Sequence, residues 1–382
     1  MTKENIWDSE VEVEKSSYNS KENPKHLKSM KERENAPNHP MIDLFCGAGG
    51  FSTGLSMAGF DVVLGVDIHV PSIETFQFNH KFAHAILGDI REANDKLLKK
   101  AIKEASLGKE IELITAGIPC QGFSIANRKQ NDEDERNYLF KEFLRVVDLI
   151  NPKFIIVENV PTMKKAKDGE FVETIKKALN NNYNVEIRVL NSKKYQVPQQ
   201  RKRLFFMGVR KDLDIQLDWL VENDEEISVW EAISDLPKLK VGESASKYKK
   251  MPQNNFQQLM RSNNKVLKNH KAPNHRQVTI DRISSTKPGE PMYEKFRQRV
   301  RLQPDKPAPT IISGGIRPQF QYGHPSQIRG LTVRERARLQ SFPDFFEFKG
   351  GMVQGRVLTG QAIPPLLAKS FGDNIFQMKN KD

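Results

Sequence analysis

The stretch MIDLFCGAGGFSTG, residues 41–54, decides how this chain is read. Its first five residues form an apolar run too short for a buried helix and suited to a buried strand. A glycine-rich turn follows, and then the start of a helical segment. Runs of the same kind recur downstream as DVVLGVD (61–67), IELITAG (111–117), KFIIVEN (153–159), VEIRVLN (185–191) and RLFFMGV (203–209). Helical patterns separate them. Residues 139–150 (LFKEFLRVVDLI), for example, carry apolar residues at helical spacing and stop before Asn151-Pro152. Strand and helix in alternation predict an α/β fold built on a doubly wound sheet.

In such a fold the turn between the first strand and the first helix is where nucleotide-like ligands bind. With glycines at Gly47 and Gly49, a dinucleotide fingerprint would require a third where Ser52 stands, which argues against an NAD-dependent oxidoreductase. Asp67 closes the second strand about twenty residues on, as an acid for ribose hydroxyls should. Asp89, in Gly88-Asp-Ile90, can accept from an adenine amino group. Either aspartate alone would read equally well as a helix cap. Together they suggest an adenosine-containing ligand.

Charge narrows the partner. The 382 residues carry a net charge of +12 and a pI near 9.4, which suits a polyanion. Between Arg261 and Arg301 eleven Lys or Arg stand against three acids, Asp281, Glu290 and Glu294, so one segment holds most of the excess. The two cysteines, Cys46 and Cys120, are too few for a disulfide framework. The polar start MTKENIWDSE and the lack of a long apolar run lead us to expect a cytoplasmic, reducing location without membrane contact. Residues 1–40, rich in Lys, Glu, Asn and Ser, read as a flexible extension whose removal would cost little activity.

Cys120 lies on a proline-stiffened turn, GIPCQGFS (117–124), at the exit of the strand formed by 111–117. Residues 121–137 are polar and without apolar period, which suggests a lid. Glu158 ends the next apolar run, at the sheet edge that ligands use. In QQRKR (199–203), Arg201 and Arg203 fall on one side of an extended chain, as suits an anion or a base edge. The alternation ends near residue 212. We expect a catalytic and cofactor-binding domain over 41–212, completed by 352–382, with a smaller irregular domain over 213–351. Within the latter, residues 332–339 (TVRERARL) read as a helix opened by a Thr cap.

These blocks together resemble the DNA cytosine-5 methyltransferases: DLFCGAGGFSTG (43–54), GIPCQGFS (117–124), ENV (158–160), QQRKR (199–203), RGLTVRERARLQSFPD (329–344) and GQAIPP (360–365), in the family's order. The resemblance implies a Rossmann-like domain that uses S-adenosylmethionine, with a target-recognition domain appended. Its cofactor contacts carry over onto Phe45, Gly47, Ala48, Gly49, Phe51, Asp67, Ile68, Asp89, Ile90, Pro119, Leu139, Gln361 and Ala362. Asp67 stands where the family usually has Glu, and Gln361 where it usually has Asn. Cys120 would be the nucleophile, Glu158 the acid, and Arg201 and Arg203 the residues that position the base.

Ser124 and Arg136 would touch phosphate, while Asn274, Arg276 and Gln277 would read bases. No residue is assigned to a metal. Duplex DNA is the implied substrate, a restriction endonuclease for the same sequence a possible companion, and a monomer the default. A transfer RNA methyltransferase and a catalytically idle DNA-binding regulator are the alternatives.

Overall fold

The computed structural model describes residues 18–119, 137–313 and 321–381. The chain divides into two compact units. One, the sheet unit, comprises Tyr18–Asn191, Lys202–Val221 and the residues from Ala368 onward. The other, the second unit, comprises Ser192–Arg201 and Glu222–Leu367.

The sheet unit is built on eight strands: β1 (Lys25–Leu27), β2 (Pro40–Leu44), β3 (Asp61–Asp67), β4 (His84–Leu87), β5 (Leu113–Gly117), β6 (Phe154–Asn159), β7 (Tyr183–Asn191) and β9 (Lys202–Arg210), while the short β8 (Gln199–Gln200) belongs to the second unit. Their order is β1-β4-β3-β2-β5-β6-β9-β7. The central strands β4, β3, β2, β5 and β6 run parallel, whereas β1, at one edge, and β9 are antiparallel to their neighbours. β2 and β5 are buried along nearly their whole length because helices cover both faces, which is why they read as continuous apolar runs. The chain steps outward from β2 to β3 and β4 on one side and to β5 and β6 on the other. The gap beyond the β2 and β5 carboxyl ends is therefore the switch point at which open α/β sheets take their ligands.

The helices end where the sequence marks them. The helix Asn137–Ile150 stops at Asn151, which adopts a φ of 51°, a left-handed conformation that asparagine tolerates. Helix α1 (Gly50–Ala58) begins directly at the glycine-rich turn and closes on Gly59, whose N–H donates to the carbonyls of Leu55 and Ser56.

The amino-terminal segment departs from expectation. Residues 18–40, read from composition as part of a flexible extension, are attached to the sheet. β1 pairs with β4 in the register Lys25↔Leu87, His26↔Ile86 and Leu27↔Ala85. Ser20 donates its N–H to Ile68, and Val70 donates its own to Tyr18. Arg33 clamps Asp61 at 2.9 Å and the carbonyl of Val62 at 2.8 Å. Main-chain hydrogen bonds to an edge strand need no apolar side chains, so composition does not register them. Residues 1–17 lie outside the described residues.

The unit boundaries also differ from those expected at 212/213 and 351/352. Residues up to Val221 join the sheet unit, where Trp219 donates to Glu186 at 2.5 Å and Asn374 to the carbonyl of Asp218 at 2.8 Å. Gly351–Gln361 is a helix of the second unit. It lies so close to the helix Val333–Leu339 that a β-carbon at Gly355 would come within 2.8 Å of Val333.

The second unit is held by buried charge. Arg329, Arg334 and Arg338 are almost completely enclosed. Arg329 grips Glu335 with bonds of 2.9 and 2.6 Å, and Arg338 grips Asp344 with bonds of 2.5 and 2.6 Å. Asp235 accepts from both Arg338 and Arg261. The expected Thr332 cap is present as a full capping box with Glu335.

Candidate active site

Four strand ends define one edge of the sheet unit. Leu44 of β2 lies in register with Ala116 of β5 and Val66 of β3, and Gly117 of β5 lies in register with Glu158 of β6. The cofactor turn, Asp67, the turn that leads to Cys120, and Glu158 therefore all leave the sheet on the same side. Parallel strands that alternate with helices return every second loop to that edge.

The turn 45–49 has an unusual backbone. Phe45, Gly47 and Gly49 have φ of 55°, 53° and 92°. For phenylalanine this is an uncommon conformation, of the kind that concentrates at functional sites. Among the described residues no atom lies within 4 Å of where a β-carbon at Gly47 would stand, so this glycine supplies conformation and open room for a ligand. At Gly49 the same atom would strike His80 at 2.7 Å, so here the helix start packs tightly. Phe45 and Gly47 are half-buried, whereas Ala48 and Phe51 are buried, with the Phe51 ring set edge-on to Phe205. The open positions of the turn are thus Phe45 and Gly47.

Asp67 ties the turn to the β3 exit by accepting from Gly47 N at 2.8 Å and from His69 N at 2.8 Å. Burial raises its pKa, with these two N–H donors pulling the other way. Each carboxylate oxygen retains acceptor capacity for a ribose hydroxyl. Beneath the turn, Asp43 is fully buried. It accepts from the hydroxyls of Ser52 at 2.6 Å and Thr115 at 2.9 Å. Burial pushes its pKa up to about 6, against the opposing pull of those hydrogen bonds. Asp43 thereby fastens α1 and β5 under the turn.

Asp89 is engaged by its neighbour Arg91, which donates Nε at 3.0 Å and Nη2 at 2.6 Å. Burial would raise the Asp89 pKa, but these bonds outweigh it and leave it lowered. Ile90 is buried, Leu139 half-buried and Pro119 exposed. Ile68 lends its carbonyl to Ser20. The donor set fits an adenosine-containing cofactor: an acid at the β3 exit, a second acid at the β4 exit, and a glycine turn with open space at Gly47.

At the β6 exit, Glu158 forms an ion pair with Arg203, Oε1 to Nε at 2.8 Å, and the two side chains are only 12% and 17% exposed. One residue on, Asn159 is buried and donates its amide to the carbonyl of Ile118 at 3.3 Å, which joins the β6 exit to the β5 exit. Ile118 precedes Pro119-Cys120, so this bond fixes where the turn begins relative to the acid. Asn159 and Asp43 were given no role from sequence, although both stand inside quoted motifs. A buried polar side chain beside a turn is the signal that could have found them.

The arginine pair divides. Arg203, on β9, reaches Glu158. Arg201 belongs to the second unit, where its buried guanidinium donates to the carbonyls of Ile311 at 3.0 Å and Gly360 at 3.4 Å. The main chain of Arg201 continues the β7–β9 ladder, its carbonyl accepting from Ser192 N at 2.9 Å. Gln361, exposed, and Ala362, buried, also belong to the second unit. Asn274, Arg276 and Gln277 are all exposed at the start of the helix Gln277–Ser285, with Gln277 also donating to Asp281. Cys120, Ser124 and Arg136 lie outside the described residues.

The profile of the C-5 cytosine-specific DNA methylase family matches residues 40–377. The chain belongs to that family. It is a DNA (cytosine-5-)-methyltransferase, and its methyl donor is S-adenosylmethionine. This methylase is 34% identical over 374 residues to the Type II methyltransferase M.DdeI of Desulfomicrobium norvegicum, covering 88% of each chain. It is 33% identical over 354 residues to M1.HphI of Haemophilus parahaemolyticus, covering 89% of this chain and 87% of that one. Among solved structures, a prophage-encoded DNA modification methyltransferase of E. coli superposes with a TM-score of 0.75 at 26% identity, over 90% of this chain and all of the other. No helix among the described residues of this methylase is long and apolar enough to cross a membrane.

Proposed function

We propose that this methylase modifies carbon 5 of a cytosine flipped out of a specific duplex sequence, through a transient bond to Cys120, and that it protects host DNA within a restriction-modification system. The observation that carries the reading is the Glu158–Arg203 pair at the β6 exit. Glu158 lies in register with Gly117, three residues before Cys120, on the edge that also bears the cofactor turn.

Carbon 5 of cytosine is a poor nucleophile inside an aromatic ring. The Cys120 thiolate adds to carbon 6 while Glu158 delivers a proton to ring nitrogen 3, so the ring becomes an enamine with electron density at carbon 5. Arg203 holds the acid in place at its Nε. S-adenosylmethionine supplies an electrophilic methyl group on its sulfonium. Once carbon 5 carries the methyl, loss of its proton to a base lets the carbon 6–sulfur bond break and frees the thiolate, and return of the nitrogen 3 proton to Glu158 restores the neutral ring. Because the reacting ring atoms are inaccessible in a stacked duplex, the base must leave the helix.

The unit containing 222–367 is the recognition part on this reading. Seven bases of the segment 261–301 are exposed, including Lys268, Lys271 and Arg276, against its three exposed acids. Arg261, Arg299 and Arg301 are used internally: on Asp235, on the rings of Tyr293 and Phe296, and on the carbonyls of Ile283 and Thr286. The exposed set would supply salt-dependent phosphate affinity, with Asn274, Arg276 and Gln277 facing base edges.

Incubation of the protein with mixed-sequence duplex DNA and S-adenosylmethionine, followed by bisulfite sequencing, tests this reading. Conversion-resistant cytosines confined to one short sequence are expected, and none with Cys120→Ala. Methylation of transfer RNA alone, or equal methylation by the variant, would overturn it. Protection of the same sequence from an endonuclease encoded beside the enzyme would establish the restriction partner.

A further inference from the structure

Away from the reaction edge, three elements of the sheet unit bring metal-ligating side chains together. His26 stands in the middle of β1, His84 opens β4, and Glu104 lies in the last turn of the helix Asp95–Ala105. His26 Nε2 is 2.8 Å from His84 Nδ1, and His26 Nδ1 is 3.8 Å from Glu104 Oε2. One ligand atom of each residue lies within 4.8 Å of those of the other two. Two imidazole nitrogens at 2.8 Å cannot both carry a proton, so the pair shares either one proton, in a neutral N–H···N hydrogen bond, or a metal ion.

We propose that His26, His84 and Glu104 bind a transition-metal ion of borderline softness, with Zn²⁺ as the type, and that the ion pins β1 to the sheet. Two imidazoles and a carboxylate are a donor set that zinc takes, with water in the fourth position. At bond lengths of roughly 2.0–2.2 Å the donors of a tetrahedral site stand a little over 3 Å apart, so His26 Nε2 and His84 Nδ1 need to part by only about 0.5 Å, and the Glu104 carboxylate, within 4.8 Å of them, swings in to complete the set. Lys28 and Lys100 act electrostatically on His26 and moderate the affinity. The ion would tie down a strand whose flanks reach the cofactor edge. A β-carbon at Gly88, next to Asp89, would meet Pro24 at 2.6 Å, and Ser20 caps Ile68, next to Asp67.

The test is a titration of the EDTA-treated full chain with Zn²⁺, followed by calorimetry and thermal melting, for wild type, His26→Ala, His84→Ala and Glu104→Gln. One equivalent should bind to wild type and raise its melting temperature. Each histidine variant should lose at least tenfold in affinity together with that rise, and Glu104→Gln should fall between. Unchanged methylation by the variants without added metal would show that they fold. Should the alanine variants unfold, His84→Gln and the Co²⁺ absorption spectrum of wild type decide instead. Absence of stoichiometric binding, or binding that survives in every variant, would overturn the proposal and leave a hydrogen-bonded His26–His84 pair with Glu104 beside it.

Discussion

Buried carboxylates behave in opposite ways in the two units. Under the cofactor turn, Asp43 and Asp67 have raised pKa values because burial acts on them without a cation close by. In the second unit, Glu335 and Asp344 are at least as enclosed, yet their pKa values are lowered. Burial would raise both, but Arg329 at Glu335 and Arg338 at Asp344 outweigh it. The difference lies in what the charge is for. Saturated ion pairs hold a fold rigid but have no capacity left for a ligand, whereas carboxylates held by N–H and O–H donors keep acceptor capacity open. The same contrast separates Arg201, whose Nη1 donates to the carbonyls of Ile311 and Gly360, from Arg203, which faces Glu158.

The sharpest way to break this comparison is to remove one charge from each side. Glu158→Gln should lower kcat by ~10²–10⁴-fold, the usual worth of a positioned proton donor, and leave the melting temperature almost unchanged. Arg338→Ala should do the reverse. It strands Asp344 and Asp235 without their guanidinium, a loss of about 3–5 kcal/mol read as a fall in denaturant midpoint. If Arg338→Ala melted like wild type, the network would not be what holds the second unit.

Titration sharpens the contrast next. A carboxyl whose folded pKa is raised contributes stability below its unfolded pKa and loses it as pH rises through the folded value. For Asp43 that window runs from about 4 to about 6. Asp43→Asn should therefore gain stability over wild type as pH rises from 4 to 7, by on the order of 2–3 kcal/mol across the window. A constant offset in thermal melts would contradict it. Glu335 and Asp344 have the opposite sign: their contribution is present above the ordinary carboxylate range and is lost as pH falls below it. Glu335→Gln should accordingly lie furthest below wild type near neutrality and approach it in acid.

The smallest effect concerns the amino-terminal segment. Deleting residues 1–17 should leave affinity for S-adenosylmethionine within about twofold, whereas deletion through residue 30 removes Ser20, Pro24 and β1 and should weaken it several-fold by calorimetry. Equal affinity in both truncations would return the segment to the role of a tail.

The sheet was legible because its central strands are covered on both faces and so announce themselves as apolar runs. The cofactor turn was legible because Gly47 and Gly49 mark a backbone that other residues avoid. What sequence concealed was pairing at a distance. Arg334 and Arg338 look like one face of a solvated helix until Asp235, about a hundred residues earlier, and Asp344 are brought to them. The basic run 261–301 looked like one footprint, but Arg261, Arg299 and Arg301 serve the interior. β1 escaped notice because its contribution is main-chain hydrogen bonding, and Asn159 because one amide donated to Ile118 leaves no periodic trace.

The central claim is that the sheet edge bearing Glu158 and the turn to Cys120 is where cytosine is attacked. The most direct measurement uses a duplex carrying 5-fluorocytosine at the methylated position, incubated with enzyme and S-adenosylmethionine. Fluorine at carbon 5 cannot leave as the proton does, so the adduct persists. Denaturing electrophoresis followed by peptide mapping should find DNA joined to Cys120, with none in Cys120→Ser. A stable complex attached elsewhere, or no complex on a duplex that the enzyme methylates when it carries ordinary cytosine, would contradict the account.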